Sequence, residues 1–387
     1  MNRTADILVL GGGIVGLATA YYAARRKLGR ITILERDRIG RGASSRNLGG
    51  IREQFSNEPT IRLMKQSIDL WEKLPEELEW NFLYDQKGYL LVARSEGQLA
   101  QLKTNAALQN SLGVRTRILT REEVLTMIPQ LEAPDLVGAS FNHRDGSVHH
   151  DAVLWAFKRA VLKLGVEVLE GVECRSIKTR SGKAIGAETS AGEFSATKIV
   201  NATGVYSRDL AATVGIDLPV KSFRREALVT EPYKRVLRPV FWDLSTGLLL
   251  SQTLRGEILG DTRDPGKEES RDLDASYAFL VKFAREMKLL FPSLANIHVL
   301  RQWAGHYDVS PDGSPILGEA EELENLVFAS GFSGHGLMLS PIVGKLFAEM
   351  FETGKVPDLI HPYRFSRFAE GKPILEPLVA GRNVTSG

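Results

Sequence analysis

The chain is nearly free of cysteine. Its 387 residues include one, Cys174, which rules out an intrachain disulfide and any cysteine-built zinc centre. It also lacks an excess of either charge. Lys and Arg number 49 against 47 Asp and Glu, a formal net charge of +2, so there is no basic field of the kind that a nucleic-acid backbone demands. No run approaches the roughly 20 apolar residues that a membrane-spanning helix needs. The first apolar stretch is broken by glycine within a few residues, unlike the core of a secretory signal. These absences predict a cytoplasmic chain without metal, nucleic-acid partner or transmembrane segment. With 43% hydrophobic and 25% charged residues, it is long enough for the cores of two domains.

What is present begins with "DILVLGGGIVGLATAYYAARRKLGRITILER". The apolar run Ile7 to Leu10 reads as a buried parallel strand, and an alanine-rich helix follows. Between them Gly11 permits a tight turn, Gly13 lets the backbone approach a pyrophosphate, and Gly16 lets the helix pack closely on the sheet. The helix start at Ile14 and Val15 offers N–H groups to a diphosphate. A second strand, Ile31 to Leu34, ends in Glu35, placed to accept from both ribose hydroxyls and to repel a 2′-phosphate, which disfavours NADP. NAD and FAD both fit so far. The next stretch, "RIGRGASSRNLGGIR" from Arg38 to Arg52, is rich in glycine, serine and asparagine, and supplies donors to a long ligand where a plain nicotinamide fold would continue into helix.

Further on, Ile61, Met64, Ile68 and Trp71 recur at helical spacing, with Pro75 ending that helix. "GYLLVA" reads as a strand, and Glu96 to Leu112 as a charged helix. "HHDAVLWAFKRAVLKLG" predicts a helix beginning at Asp151 with Ala152, Leu154, Ala156, Val161 and Leu162 turned inward, capped by a histidine or by Asp151 itself. A small antiparallel layer should then cross to a parallel strand at Ile199 to Asn201. "GLLLSQTLRGEILGD" predicts a hairpin, and a charged helix lies near Asp274 to Leu290. The tail repeats strand, glycine-rich turn and helix, the last starting near Leu337.

Seven blocks together resemble the D-amino-acid oxidase superfamily of flavoproteins, and within it the β subunits of heterotetrameric sarcosine oxidase and of dye-linked L-proline dehydrogenase. They are GGGIVG (Gly11 to Gly16), SSRNLGGIR (Ser44 to Arg52), LWEKLPEEL (Leu70 to Leu78), HHDAVLWAFKRA (His149 to Ala160), NATG (Asn201 to Gly204), LRQWAGHYDVSPDGSPILG (Leu300 to Gly318) and GFSGHGLMLSP (Gly331 to Pro341). The resemblance implies an α/β fold in which an FAD-binding Rossmann-type, glutathione-reductase-like domain (1–84, 145–222 and 299–387) is interleaved with an α+β substrate domain on a mostly antiparallel sheet (85–144 and 223–298). It implies FAD-dependent oxidation of the CH–N bond of a small amino acid.

Carried over residue by residue, the resemblance places FAD against Gly11, Gly13, Ile14, Val15, Gly16, Glu35, Arg36, Gly42, Ala43, Ser44, Ser45, Asn47 and Gly50. Downstream it adds Cys174, Ala202, Thr203, Gly204, Gly305, Gly331, Gly334, His335, Gly336, Leu337 and Met338. Cys174 would meet the adenine through its backbone, with a thiol that burial leaves inert. The helix near Leu337 would direct its positive end at the pyrimidine edge of the flavin. Arg52 matches the arginine that holds the substrate carboxylate, a task suited to a planar, permanently charged fork; a surface pairing with Glu53 or another acid is the alternative. Tyr307 matches a residue lining the pocket. His306 and His335 are not expected to act as essential bases.

Three departures bear on the reaction. Gly305 stands where monomeric sarcosine oxidases attach FAD through cysteine, so FAD is expected to be non-covalent. Ile258 stands close to the position of a lysine that speeds reaction with oxygen, which points to another electron acceptor. Met338 replaces a second carboxylate-binding lysine and would offer a soft wall to a ring or alkyl group, leaving sarcosine, proline and hydroxyproline all open. His150, with His149 beside it, matches a histidine that carries FMN at a subunit interface in sarcosine oxidase; FMN would require a larger α-type partner subunit. Other readings within reach are a glycine or D-amino-acid oxidase acting alone, a glycerol-3-phosphate dehydrogenase-like enzyme, and a non-catalytic flavin-binding subunit.

Overall fold

The computed structural model describes residues 3–263 and 269–377. The outer ends of the expected first domain (1–2 and 378–387) and residues 264–268 of the second lie outside the described residues.

The opening strand, Arg3–Leu10, is buried on both faces, so its apolar residues serve two cores. Ile7 and Val9 join the cluster containing Leu17, Ala18 and Phe347. Leu8 and Leu10 join Phe194, Ile199 and Phe328 on the other side. This is the pattern of a central parallel strand covered by packing on each face. In register, Val9 lies beside Ile33 of the Ile31–Glu35 strand and beside Val200 of Gly192–Asn201. The full order is Ile316–Glu319, Leu326–Ser330, Gly192–Asn201, Arg3–Leu10, Ile31–Glu35, Glu167–Glu170, with Lys183–Thr189 and Cys174–Arg180 branching from Gly192–Asn201. The chain leaves Arg3–Leu10 toward one neighbour and returns on the other, which makes its carboxyl end a topological switch point, the place where open α/β sheets bind ligands. Gly11 sits at that end.

The expected crossover strand at Ile199 to Asn201 is the second half of one long strand, Gly192–Asn201. Its first half pairs antiparallel with Lys183–Thr189, while its whole length runs parallel to Arg3–Leu10. Pro75 does not end the preceding helix. That helix runs Glu58–Trp71, and Pro75 occupies the first turn of a separate short helix, Leu74–Glu77, where a missing N–H costs nothing. The helix His150–Lys163 buries Val153, Leu154, Ala156, Phe157, Ala160 and Val161, whereas Leu162 is 51% exposed. The inward stripe is thus rotated from the expected one. His149, not Asp151, caps it: the His149 Nδ1 accepts from the Ala152 N–H at 3.4 Å.

A second eight-stranded sheet runs Val299–Val309, Lys221–Pro232, Glu257–Asp261, Leu249–Gln252, Val240–Asp243, Tyr89–Ala93, Gly138–Asn142, Arg117–Thr120. All its neighbours are antiparallel except Val240–Asp243 with Tyr89–Ala93. By sheet membership Val299–Val309 goes with this second sheet, although the sequence division put residue 299 onward with the first domain. The predicted hairpin is Leu249–Gln252 with Glu257–Asp261.

The closing helix, Gly336–Thr353, packs on the first helix, Ile14–Arg25, along a line of small residues. An added Cβ at Gly344 would stand 2.6 Å from the Ala18 carbonyl carbon and 2.9 Å from the Thr19 nitrogen, both backbone atoms with nowhere to go. Gly344→Val is therefore expected to destabilise the protein by about 1–3 kcal/mol. A denaturant midpoint equal to that of the parent chain would contradict this packing.

Candidate active site

The residues expected to hold a dinucleotide converge at the carboxyl ends of the first sheet. Gly11 has φ +104°, and a Cβ there would lie 2.4 Å from the Ala202 oxygen; a Cβ on Gly16 would lie 2.1 Å from the Gly11 oxygen. Only glycine fits either position. Glu35 accepts from the Gly12 N–H at 2.9 Å and the Asp37 N–H at 3.0 Å, fixing its carboxylate at the strand end. Ser44 Oγ accepts from the Ile14 N–H at 3.0 Å. Val172 donates to the Glu35 carbonyl at 2.9 Å, which brings the segment before Cys174 alongside, and the Arg36 guanidinium stacks 3.6 Å above the Tyr206 ring.

Among the longer described helices, Asn57, Ser95, Thr120, His149 and Ser276 each cap a start with their own side chain. The helices beginning at Ile14 and Gly336 have no such cap and no acidic residue in the first turn. These two amino termini are the ones directed at the glycine-rich turns, where N–H groups and helix dipole suit an anionic or electron-rich ligand. The glycine cradle, the ribose-directed carboxylate and the two uncapped helices fit FAD.

Between the second sheet and the stretches 46–52 and 333–338 lies an inner cavity of about 90 Å³. It brings together Asn47, Gly50, Arg52, Tyr307, Gly334, His335, Leu337 and Met338 from the sequence reading. Arg52 is 3% exposed. Its Nη1 donates to the Gln54 carbonyl, its Nη2 lies 3.1 Å from His335 Nε2, and its guanidinium stands 4.0 Å over the Phe55 ring. The alternative of a surface pair with Glu53 fails: Glu53 turns away and accepts from Asn142 at 2.9 Å. Because a guanidinium only donates, His335 receives with its Nε2 lone pair and carries its proton on Nδ1. Burial and the adjacent Arg52 charge drive the His335 pKa well below its usual value, so it braces the arginine as a neutral ring and has no lone pair left for base catalysis.

Gly305 lies close to Arg46, where an added Cβ would stand a tight 3.0 Å from Arg46 Cβ, and glycine itself has no side chain to link a flavin. Gly334, at φ +93°, faces the Tyr307 ring 2.4 Å from a would-be Cβ. Asp308, absent from the sequence reading, holds this turn by accepting from the Gly331 and Phe332 N–H groups at 2.8 and 3.3 Å. The final helix begins at Gly336. His306 alternates away from the cavity. Ile258 is a correction: it is fully buried in the core of the second sheet with Leu90, Leu250 and Phe283, on the face opposite Glu257 and Leu259. It lines neither the inner cavity nor the outer one, so the structure lends no support to the argument for a non-oxygen acceptor built on it. Sequence reasoning also missed Tyr89, Trp242, Arg225 and Asp261, which line the same cavity. Their strand alternation was legible, but not which strands would be neighbours.

A larger outer cavity, about 700 Å³, adjoins the inner one; Leu48 and Ser251 line both. It contains His149 and His150, stacked with ring centroids 5.6 Å apart. Lys87 also lines it, donating to Ser251 Oγ at 3.1 Å and to the Gln252 carbonyl at 2.6 Å. Burial lowers the Lys87 pKa to about 8. Leu83, Trp155, Leu254 and Leu300, each 43% or more exposed, belong to the same lining. Among the described residues no group of histidine, cysteine and carboxylate side chains forms a metal site, and no helix is long and apolar enough to cross a membrane.

Comparison with known proteins gives a consistent result. The family model described as DAO, FAD dependent oxidoreductase, matches residues 6–350. Sarcosine oxidase subunit beta of Rhodobacter capsulatus is 29% identical over 382 residues, covering 97% of this chain and 91% of the relative. The crystal structure of L-proline dehydrogenase from P. horikoshii superposes with a TM-score of 0.91 at 32% identity, over 97% of this chain and 100% of that one. Glycine oxidase from Geobacillus kaustophilus follows at 0.88 and 25%, over 95% and 99%.

Two outcomes are expected. Burial pushes the Cys174 thiol up to about 12, so the thiol stays protonated well above neutrality and iodoacetamide at mildly alkaline pH should label it only after unfolding; labelling of the folded chain at the unfolded rate would contradict this. For His335 the folded pKa is depressed, so the unfolded chain takes up a proton that the folded chain refuses once pH falls below about 6.5. Its contribution is whole above that pH and shrinks below it. His335→Gln should flatten the acid-side loss of stability between about pH 6.5 and 5, read from urea midpoints; an unchanged slope would refute it.

Proposed function

Because the chain belongs to the FAD dependent oxidoreductase family, we propose that it oxidises the CH–N bond of a small secondary amino acid, N-methylated or cyclic, to the imine. FAD, held by the two interleaved units in the division given above, supplies the acceptor of the hydride. The observation that carries the reading is Arg52: a guanidinium buried at the floor of a small cavity, beside the glycine turn Gly331–Gly334 and braced by His335. A fixed planar cation there receives a carboxylate in two parallel hydrogen bonds and aims the neighbouring Cα–H. Tyr307, Trp242 and Met338 close the apolar sides, which suits a ring or N-methyl group.

The outer cavity supports a second part of the reading, that this is the catalytic subunit of a larger cytoplasmic assembly. Its lining pairs stacked histidines and Lys87 with exposed apolar side chains, and its volume is in the range of sites for small cofactors. We assign it to FMN, with His150 near the ring and a larger partner subunit covering Trp155, Leu254 and Leu300. Sarcosine oxidase subunit beta, the relative noted above, carries a subunit name in accord with this.

The test is an anaerobic titration of the yellow protein with sarcosine, L-proline, D-proline and glycine in turn, following the visible flavin band before and after admitting air. Bleaching by a secondary amino acid is expected, with the half-saturating concentration raised roughly 100-fold in Arg52→Met. Bleaching by none of the four would overturn the reading, and bleaching by glycine alone would favour a glycine-oxidase-type enzyme.

A further inference from the structure

The lining of the inner cavity holds a second charged group besides Arg52. Arg225 and Asp261 project from neighbouring parts of the second sheet, where Arg225 pairs in register with Gly305, and Asp261 with Leu249. Arg225 Nη2 donates to Asp261 Oδ2 at 2.9 Å and reaches the Thr262 carbonyl at 3.3 Å. Both side chains are 10% exposed, and both line the cavity. The guanidinium also lies 5.7 Å from the centre of the Tyr307 ring, the residue shared with the Arg52 wall.

Among the described residues, two carboxylates line this cavity, Glu226 and Asp261. Glu226 is spent elsewhere. Its oxygens accept from the Ser276 N–H at 2.6 Å, the Ser276 hydroxyl at 2.7 Å and Gln302 at 2.8 Å, which ties it to the start of the Tyr277–Leu290 helix. Asp261 is therefore the carboxylate that an occupant of the cavity meets. A buried ion pair costs desolvation that its own attraction only partly repays. A site that displays one to its ligand gains where the ligand has a donor to give it. A cation, Arg52, and an Arg-held carboxylate in one cavity lining form the complement of a zwitterion.

We propose that Asp261 receives the amine of the substrate while Arg52 receives its carboxylate, with Arg225 as the positioning residue that holds Asp261 in place and aims it. This rests on the amino-acid reading above and narrows it: the site selects molecules with a nitrogen donor next to a carboxylate, and rejects hydroxy acids and phosphorylated polyols, which bring no cation to Asp261. The role is one of binding and orientation and requires no proton transfer to the aspartate. A polar site left without its partner discriminates strongly.

The experiment compares two ligands of one shape on the flavin-loaded full chain: L-proline, and L-tetrahydrofuran-2-carboxylate, in which oxygen replaces the ring N–H. Half-saturation is read from the flavin spectrum under anaerobic conditions. Asp261→Asn is expected to weaken L-proline roughly 10- to 100-fold and to leave the oxygen analogue unchanged, whereas Arg52→Met weakens both. Arg225→Gln should reproduce part of the L-proline defect, and Arg225→Lys should restore most of it. Should Asp261→Asn fail to fold, Asp261→Glu keeps the charge and is expected to retain the preference for nitrogen over oxygen. Equal effects of Asp261→Asn on both ligands, or none on either, would overturn the proposal. If the parent protein binds neither ring, the cyclic reading fails by itself, and sarcosine against methoxyacetate, in which an ether oxygen replaces the N–H, then delivers the same comparison for Asp261.

Discussion

A guanidinium at 3% exposure imposes the constraint on which the rest of this site depends. Burial pulls the Arg52 pKa down, yet an arginine gives up its proton so reluctantly that it stays charged, and the surrounding residues have to accommodate the cation. They do so with neutral acceptors and a ring face: the Gln54 carbonyl, His335 Nε2 and Phe55. Behind these stands Asp145, fully buried, which accepts from the Glu53 N–H at 2.8 Å and from the Gln54 amide at 2.9 Å. Gln54 is further held by the Tyr89 carbonyl and the Ser140 hydroxyl. The loop that carries Arg52 is thus clamped to the second sheet, although its chain continues directly from the glycine-rich segment of the nucleotide cradle.

That clamp explains the architecture around it. The stretch from Ser44 to Arg52 is laced to the Val299–Val309 strand, with Arg46 Nη1 donating to the Ala304 carbonyl at 2.8 Å and Trp303 Nε1 to the Arg46 carbonyl at 3.0 Å. The same strand contributes Gly305, Tyr307 and Asp308, and Asp308 in turn fixes the turn before the closing helix. The glycine cradle, the loop that carries Arg52 and the closing helix are consequently set in one frame by these ties and by a few backbone approaches that only glycine allows.

Much of this was legible in the sequence where local rules suffice. The strand, glycine turn, helix and acid from Ile7 to Glu35 declare themselves because each residue's task is set by its immediate neighbours, and the seven resemblance blocks supplied Arg52, Tyr307 and Met338, which do meet in one cavity. What stayed hidden depends on tertiary register. Ile258 was misplaced because a shift of one residue along a strand sends the side chain to the opposite face. Arg225 and Asp261 lie far apart in the chain, and only the pairing of their strands brings them beside Tyr307. The rotation of the His150–Lys163 helix followed from a stripe with apolar residues on both sides, which periodicity alone does not resolve.

The two adjoining cavities divide the labour of the proposed reaction, a small one that fixes an amino acid and a large one with an apolar border. The central claim is that Arg52 is the carboxylate anchor. It is tested most directly by a crystal structure of the flavin-loaded protein with pyrrole-2-carboxylate, a planar analogue that cannot be oxidised at Cα. The account predicts both carboxylate oxygens at about 2.7–2.9 Å from the Arg52 guanidinium, with the ring against Tyr307 and Met338. A carboxylate seated on Arg225 instead, with Arg52 engaged only by Gln54 and His335, would contradict it.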